Sequence, residues 1–447
     1  MDKIKNTKKL PRSIQILYGI GVSYAVVDQI FAQWVLYYYL PPQASSLQPI
    51  MAPLFISIAL VISRFFDMIF DPLVGYFSDQ LDSRWGRRIP FIAVGALPLI
   101  LSTVAFFYPP KTGGITSFLY LAIVGSLFFV FYTIVGAPYN AMIPEISQSK
   151  EDRLNLSTWQ SVFRLLYTAV AMILPGFLIN FFGQGNDEQG IRLMVIALGV
   201  FALFGMMITV FTIDERKYSG NKKSNTNLKE SIKVILKNKS FILYLFGFMF
   251  FFLGFNILRA SINYYVEEVM GFDKIAITTA SALLFAVAGL SFYPINRLAK
   301  KINYKKPMQI SLFLLIIFSL ALSQVNKLFP AEAGFFIFAL IGIPVAGAAF
   351  IFPPAMLSEI SAASAKKEKT QIEGLFFGIQ GFFLKLSFLI SIAILPLILV
   401  SGSGVSILNS IVREPQGVQQ IGVYRTSLFA AFFFFVSLIF YSLYQEE

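Results

Sequence analysis

The sequence predicts an all-α membrane protein with twelve transmembrane helices in two pseudo-symmetric six-helix bundles, and three observations carry that prediction. Of 447 residues, 56% are hydrophobic and 13% charged, too few polar side chains to coat a soluble protein of this length. Apolar runs of roughly 18 to 25 residues recur from end to end, each long enough to cross a bilayer, and too long and unbroken for the alternating strands of a membrane barrel. Basic residues gather in alternate connections: about 26 of the 36 Lys and Arg fall in the N-terminal tail and near 79–89, 148–153, 215–239, 297–307 and 363–371. The positive-inside rule sets those segments, and both termini, in the cytoplasm.

The elements follow in order. The start, MDKIKNTKKLPRS, is basic and has no small-residue cleavage site before the first span, 14–39, so it reads as a retained tail. Spans at 50–78, 90–109, 116–146, 154–184 and 190–213 complete a first bundle over 1–214. The charged stretch 215–239 reads as a cytoplasmic linker whose later part, NLKESIKVILKN, has the pattern of an amphipathic surface helix. A second bundle, 240–447, holds spans at 240–268, 273–297, 308–326, 331–361, 372–402 and 424–444, with a long outer loop near 403–423. A repeat supports the division. Asp79 is followed eleven residues later by Pro90, and Asn296 eleven later by Pro307, in two basic loops 217 residues apart, as a parallel duplication predicts.

Composition also excludes classes of function. With no cysteine and no histidine, disulfides, thiol catalysis, the usual zinc ligands and the commonest neutral-pH proton relay are absent. No phosphate-cradling loop or nucleophile elbow appears, so neither an ATP-driven pump nor an enzyme is expected. The net charge of +12 sits in loops, where it suits anionic lipid headgroups rather than nucleic acid. A monomer that needs no cofactor beyond a coupling ion is the plain expectation.

The informative residues are charges placed in oil. In SRFFDMIFDP, Asp67 and Asp71 are four apart, which stacks them on one helix face about 6 Å apart along the axis. Facing lipid they would be costly, so both should face the bundle interior. There they can flank a sodium ion, or one can carry a proton. Arg64, three residues earlier, supplies a local counter-charge, and a structural ion-pair network is the alternative. Lys385 sits mid-span with no acidic residue within a turn and needs a carboxylate from elsewhere. Asp28, Arg164 and Arg259 are the other intramembrane charges; Arg259 either holds an anionic substrate group or pairs with Asp28 or Glu267. Tyr139, Asn140, Trp159, Gln160, Asn256, Asn263, Tyr264 and Gln380 are candidates to line a cavity or to pack between helices.

Gly75, Asp79, Gly86, Arg87 and Arg88 match G-x-x-x-D-x-x-x-x-x-x-G-R-R, and this stretch resembles the loop signature of the major facilitator superfamily. Asp79 at a helix end and arginines in the adjoining loop can form an ion-pair latch, made in one conformation and broken in another. The wider segment ISRFFDMIFDPLVGYFSDQLDSRWGRRIPF resembles the glycoside, pentoside and hexuronide cation symporters, the melibiose permease group. YTIVGAPYNAMIPEIS, LSEISAASAKKEKTQIEG and FFGIQGFFLK are further matches, so the resemblance covers most of the chain. It implies that Asp67 and Asp71 bind the coupling cation and that Lys385 is the helix-eleven lysine that exchanges partners with them. It also implies Na+- or H+-coupled uptake of a sugar or glycoside by alternating access at the plasma membrane, the inner membrane of a bacterial cell. The group's sugar-binding aspartate, however, falls at Val26 or Ala25 rather than Asp28. Its substrate-contacting arginine falls near Gln160 or Ser161 rather than Arg164, and a further aspartate falls at Gly136. These departures leave room for another cargo, such as a lysolipid. A non-transporting sensor or scaffold is the remaining alternative, against which the cost of burying Asp67, Asp71 and Lys385 argues.

Overall fold

The computed structural model describes residues 10–81, 83–110, 114–147, 150–218, 237–302, 304–368, 373–401 and 418–444. The N-terminal tail, the surface helix expected in the linker and most of the outer loop near 403–423 lie outside them.

The first six long helices are α1 (Arg12–Tyr39), α2 (Pro53–Gln80), α3 (Ile89–Ala105), α4 (Gly114–Ile146), α5 (Lys150–Gly183) and α6 (Asp187–Thr212). A short helix, Glu215–Tyr218, follows α6. The second six are α7 (Lys239–Val269), α8 (Lys274–Ile302), α9 (Lys305–Leu322), α10 (Ala333–Ser361), α11 (Glu373–Val400) and α12 (Gln420–Leu443). Eleven of these are long and apolar enough to cross a membrane among the described residues. The exception, α3, has 17 residues and sits where the third span is expected. It stops short of the expected residue 109 because Pro109 and Pro110 follow; proline has no N–H and restricts the residue before it.

Helix starts follow local chemistry. The Asn186 side chain accepts the Gln189 N–H at 3.1 Å and the Asn238 side chain accepts the Phe241 N–H at 2.9 Å, capping α6 and α7. Pro90 and Pro307, the two prolines of the repeated loop, fall in the first turns of α3 and α9, where a missing N–H costs nothing.

The chain divides into two compact units, Met1–Tyr39 with Ile58–Lys223, and Leu40–Ser57 with Ser224–Glu447. The α1–α2 connection groups with the second unit: Leu40 O accepts from the Tyr264 hydroxyl at 3.0 Å, and the Ala44 N–H donates to Glu268 at 2.7 Å. The first unit has an aromatic core in which Phe31 stacks on Phe128 at 5.2 Å and meets Phe129 edge-on at 4.9 Å. In the second unit α7 packs on α12, with the Ser437 hydroxyl donating to Gly247 O at 2.7 Å. Among the described residues, π-turns occur at Phe31–Val35 in α1, Tyr265–Val269 in α7 and Ala346–Ile351 in α10. Such turns often sit beside functional sites.

Candidate cation and substrate sites

The acid pair lies on α2 as its spacing predicts. Asp67 is 1% exposed, Arg64 5%, and Asp71 half-buried. Arg64 Nη1 reaches Asp67 Oδ2 at 3.3 Å. Its guanidinium carbon lies 4.0 Å from the Phe129 ring centroid and 5.5 Å from that of Phe31, so stacking fixes the charge as well as pairing it. Thr133 on α4, 2% exposed, brings a residue that sequence reasoning missed. Its Oγ1 lies 2.9 Å from Asp67 Oδ1 and 3.1 Å from Asp71 Oδ1. One hydroxyl carries one proton and can satisfy one carboxylate at a time. One oxygen of each acid thus lies within hydrogen-bond reach of the same hydroxyl. A threonine in the apolar run FVFYTIVG, on another helix and 62 residues from Asp71, carries no spacing signal that ties it to the acids.

Several candidate substrate residues also lie in the first unit. Arg164 Nη2 donates to the Tyr24 hydroxyl at 3.0 Å, with the guanidinium 5.7 Å from the Tyr24 ring centroid. Asp28 is half-buried, and Gln29 Nε2 donates to its Oδ2 at 3.5 Å. Gln160 Nε2 donates to Asn140 Oδ1 at 2.7 Å, and the Trp159 ring, half-buried, leans toward Phe163. A Cβ built at Gly136 would lie 3.5 Å from the Tyr24 ring, an ordinary van der Waals contact. Of the two readings of Tyr139, lining a cavity or packing between helices, its surroundings are those of packing. It is fully buried, stacks on Tyr18 at 4.6 Å, and the two residues exchange hydroxyl-to-carbonyl hydrogen bonds.

In the second unit, Lys385 lies mid-way along α11 and is half-buried. Gln380 Nε2 donates to the Tyr244 hydroxyl at 2.6 Å, and that hydroxyl donates to Pro353 O at 2.8 Å, which braces α11, α7 and α10 together. Asn263 is fully buried. Arg259 lies with its guanidinium carbon 5.7 Å from the Phe388 ring centroid, and Glu267 is bridged by Lys274 at 3.6 Å.

The basic loop forms its own network. Arg87 Nε donates to Glu145 Oε1 at 2.7 Å and Arg88 Nε to Glu145 Oε2 at 3.0 Å, at the end of α4. Arg88 Nη1 also donates to Ser78 Oγ. The backbone N–H groups of Arg87, Arg88 and Ile89 all donate to the Glu215 carboxylate, at 2.9, 2.8 and 3.1 Å. Glu215 thus caps the start of α3 from the short helix after α6. Burial pushes the Glu215 carboxyl above the ordinary glutamate range, against the lowering effect of these backbone donors. Gly86 makes the approach possible: its φ is +102°, and a Cβ there would lie 2.3 Å from Glu215. Gly75 and Arg87 are half-buried. The side chain of Asp79, the expected latch acid, lies outside the described residues; the acids seen holding the arginine loop are Glu145 and Glu215.

Long apolar helices thus enclose the two carboxylates and the guanidinium of α2. The chain belongs to the MFS/sugar transport protein family, whose model matches residues 17–445, a family of transport proteins rather than enzymes. The inner membrane symporter YicJ of Escherichia coli K12 is 25% identical over 263 residues, 58% of this chain and 55% of that one. The lactose permease of Lactobacillus delbrueckii subsp. bulgaricus is 28% identical over 259 residues, 54% of this chain and 40% of that one. The chain thus spans about half the length of the curated relatives it matches. A bacterial homolog of the human lysosomal transporter Spinster, in an inward-facing, occupied conformation, shares the fold with a TM-score of 0.68 at 13% identity, covering 97% of this chain and 95% of that one.

Proposed function

We propose that the chain is a secondary active symporter that couples Na+ or H+ to the uptake of a sugar or glycoside by alternating access. The observation that carries this reading is the Thr133 hydroxyl set between Asp67 and Asp71 beside a pinned Arg64. The carboxylates of Asp67 and Asp71 and the Thr133 hydroxyl supply oxygen donors that a single monovalent cation can use. All-oxygen donors suit sodium, and the same carboxylates accept a proton. Lys385, the half-buried charge of α11, is the residue whose loss should uncouple substrate movement from the cation. Asp28, Arg164, Asn140, Gln160 and Trp159 supply the carboxylate, guanidinium, amides and ring face that a polyhydroxylated ligand uses. The Arg87–Arg88–Glu145–Glu215 network serves as the cytoplasmic latch, opened and closed with the cycle.

The protein works as a monomer in the plasma membrane, with both termini cytoplasmic, and contacts membrane lipid but not nucleic acid. Reconstituted vesicles offered a panel of labelled sugars, glycosides and lysolipids, under separately imposed Na+ and H+ gradients, test the whole reading. Accumulation of a saccharide above its equilibrium level under one of the gradients is the expected result. Equilibration without accumulation rejects coupling, and accumulation of the lysolipid alone rejects the sugar.

A further inference from the structure

The connection between α1 and α2 crosses a boundary twice. Residues up to Tyr39 and from Ile58 group with the first unit, whereas Leu40–Ser57 groups with the second. The chain therefore leaves one unit and returns to it through a loop that the other unit holds. That hold is polar. The Tyr264 hydroxyl donates to Leu40 O at 3.0 Å, the Val418 N–H to Pro41 O at 3.1 Å, and the Ala44 N–H to Glu268 Oε1 at 2.7 Å. Pro42 pairs with Val418 in a parallel bridge. Glu268 belongs to the wide turn Tyr265–Val269, so the end of α7 and the residue that leads into α12 grip one short segment.

The first-unit side of the crossing is fixed as well. Arg192 Nη2 pairs with Glu188 Oε1 at 2.6 Å, and its Nε donates to Phe107 O at 2.8 Å. Both members of the pair hold Tyr38, whose hydroxyl lies 3.3 Å from Arg192 Nη2 and 3.4 Å from Glu188 Oε1. The last turn of α1 is thereby tied to α6 and to the end of α3. Tyr38 and Leu40 are two residues apart, and two extended residues span at most about 7 Å. The return crossing falls between Ser57 and Ile58, inside α2, and a helix cannot lengthen without breaking its backbone hydrogen bonds. Hinge motion is absorbed by a few residues free to change conformation. Here one crossing is anchored on both sides and the other lies within a helix.

We propose that residues 40–44 form a clasp whose bonds to Tyr264, Glu268 and Val418 are made in one state of the transport cycle and break when the units part on that side of the membrane. This rests on the transporter reading and adds a conformational device to it. The second-unit side is the one that releases. Ala44 is exposed, so water can take the place of Glu268, whereas Tyr38 is 4% exposed and held by an ion pair. Glu268 sets the strength of the clasp, because a carboxylate accepts a backbone N–H more strongly than a neutral group does.

The test is a distance measurement between spin labels on the full-length protein in nanodiscs. The chain has no cysteine, so Ile115→Cys and Leu328→Cys carry the labels, at positions 66% and 77% exposed. One begins α4 and the other follows α9, on the same side as 40–44 when every helix crosses the membrane. Glu268→Gln should raise the ratio of the long-distance to the short-distance population by about 3- to 10-fold. Tyr264→Phe, which removes the hydroxyl from Leu40 O, should shift it in the same direction. Populations unchanged in both variants overturn the clasp, and a lowered melting temperature with unchanged populations reduces these bonds to packing. A shift in both variants, in a protein that accumulates no saccharide or lysolipid under either gradient, keeps the clasp and rejects symport.

Discussion

Thr133→Val is the most discriminating change to the cation site, because it removes one hydroxyl and keeps the volume. The Thr133 oxygen lies 2.9 Å from one carboxylate and 3.1 Å from the other. A hydrogen bond to a charged partner contributes about 1.5–3 kcal/mol, and each 1.4 kcal/mol is about tenfold in affinity. Losing this oxygen as donor and as cation ligand should therefore raise the half-saturating Na+ or H+ concentration by roughly 10- to 100-fold. The assay is uptake by reconstituted vesicles as a function of external cation, with Thr133→Ser as the control that restores the hydroxyl. Membrane insertion and substrate exchange at saturating cation should stay near wild type, since α4 keeps its apolar packing. An unchanged cation dependence in Thr133→Val would refute the view that Asp67, Asp71 and Thr133 act as one ligand set.

Other expectations are equally direct. Asp71→Asn should abolish accumulation under a cation gradient while the protein still folds and inserts; full accumulation by this variant removes Asp71 from the site. Lys385→Ala should uncouple substrate movement from the cation, read as downhill equilibration without concentration, and intact coupling would reduce Lys385 to a packing role. Glu215→Gln tests the latch through pH. Burial raises the Glu215 pKa in the folded protein, so the folded state holds that proton more tightly than the unfolded chain does. Its contribution to stability is then greatest in acid and is lost as pH rises through the raised value. Wild type should lose melting temperature from mildly acidic to neutral pH, and Glu215→Gln should flatten that decline; identical profiles would mean that Glu215 does not titrate in this range.

Much of this architecture was legible because a bilayer demands long apolar runs and charge bias between loops. The Asp67–Asp71 stack was legible for a similar reason, since four residues on a helix is a geometric statement. What escaped were partners on other helices. Thr133 lies among phenylalanines and valines with nothing local to mark it, and Glu215 reads as the first acid of a charged linker until its carboxylate is seen capping α3. Glu145 stands in a quoted motif, yet its role depends on two arginines 57 and 58 residues away. Arg164 departs from the expected register by about a turn, and its partner, the Tyr24 hydroxyl, lies on another helix that no spacing announces. Sequence leaves Tyr139 open between lining and packing, because an aromatic between polar residues looks the same whether it faces a ligand or braces two helices.

The wide turns in α1, α7 and α10 bear on how this chain tolerates changes in length. Each accommodates one residue more than a regular helix of the same rise would need. Elsewhere in a spanning helix, deleting a residue swings every later side chain through about 100° and turns a lining face toward lipid. Within 346–351, the same deletion lets the wide turn relax into ordinary helix, and the register beyond it is kept. These segments are therefore where this chain can lose a residue without rewriting the faces of its helices.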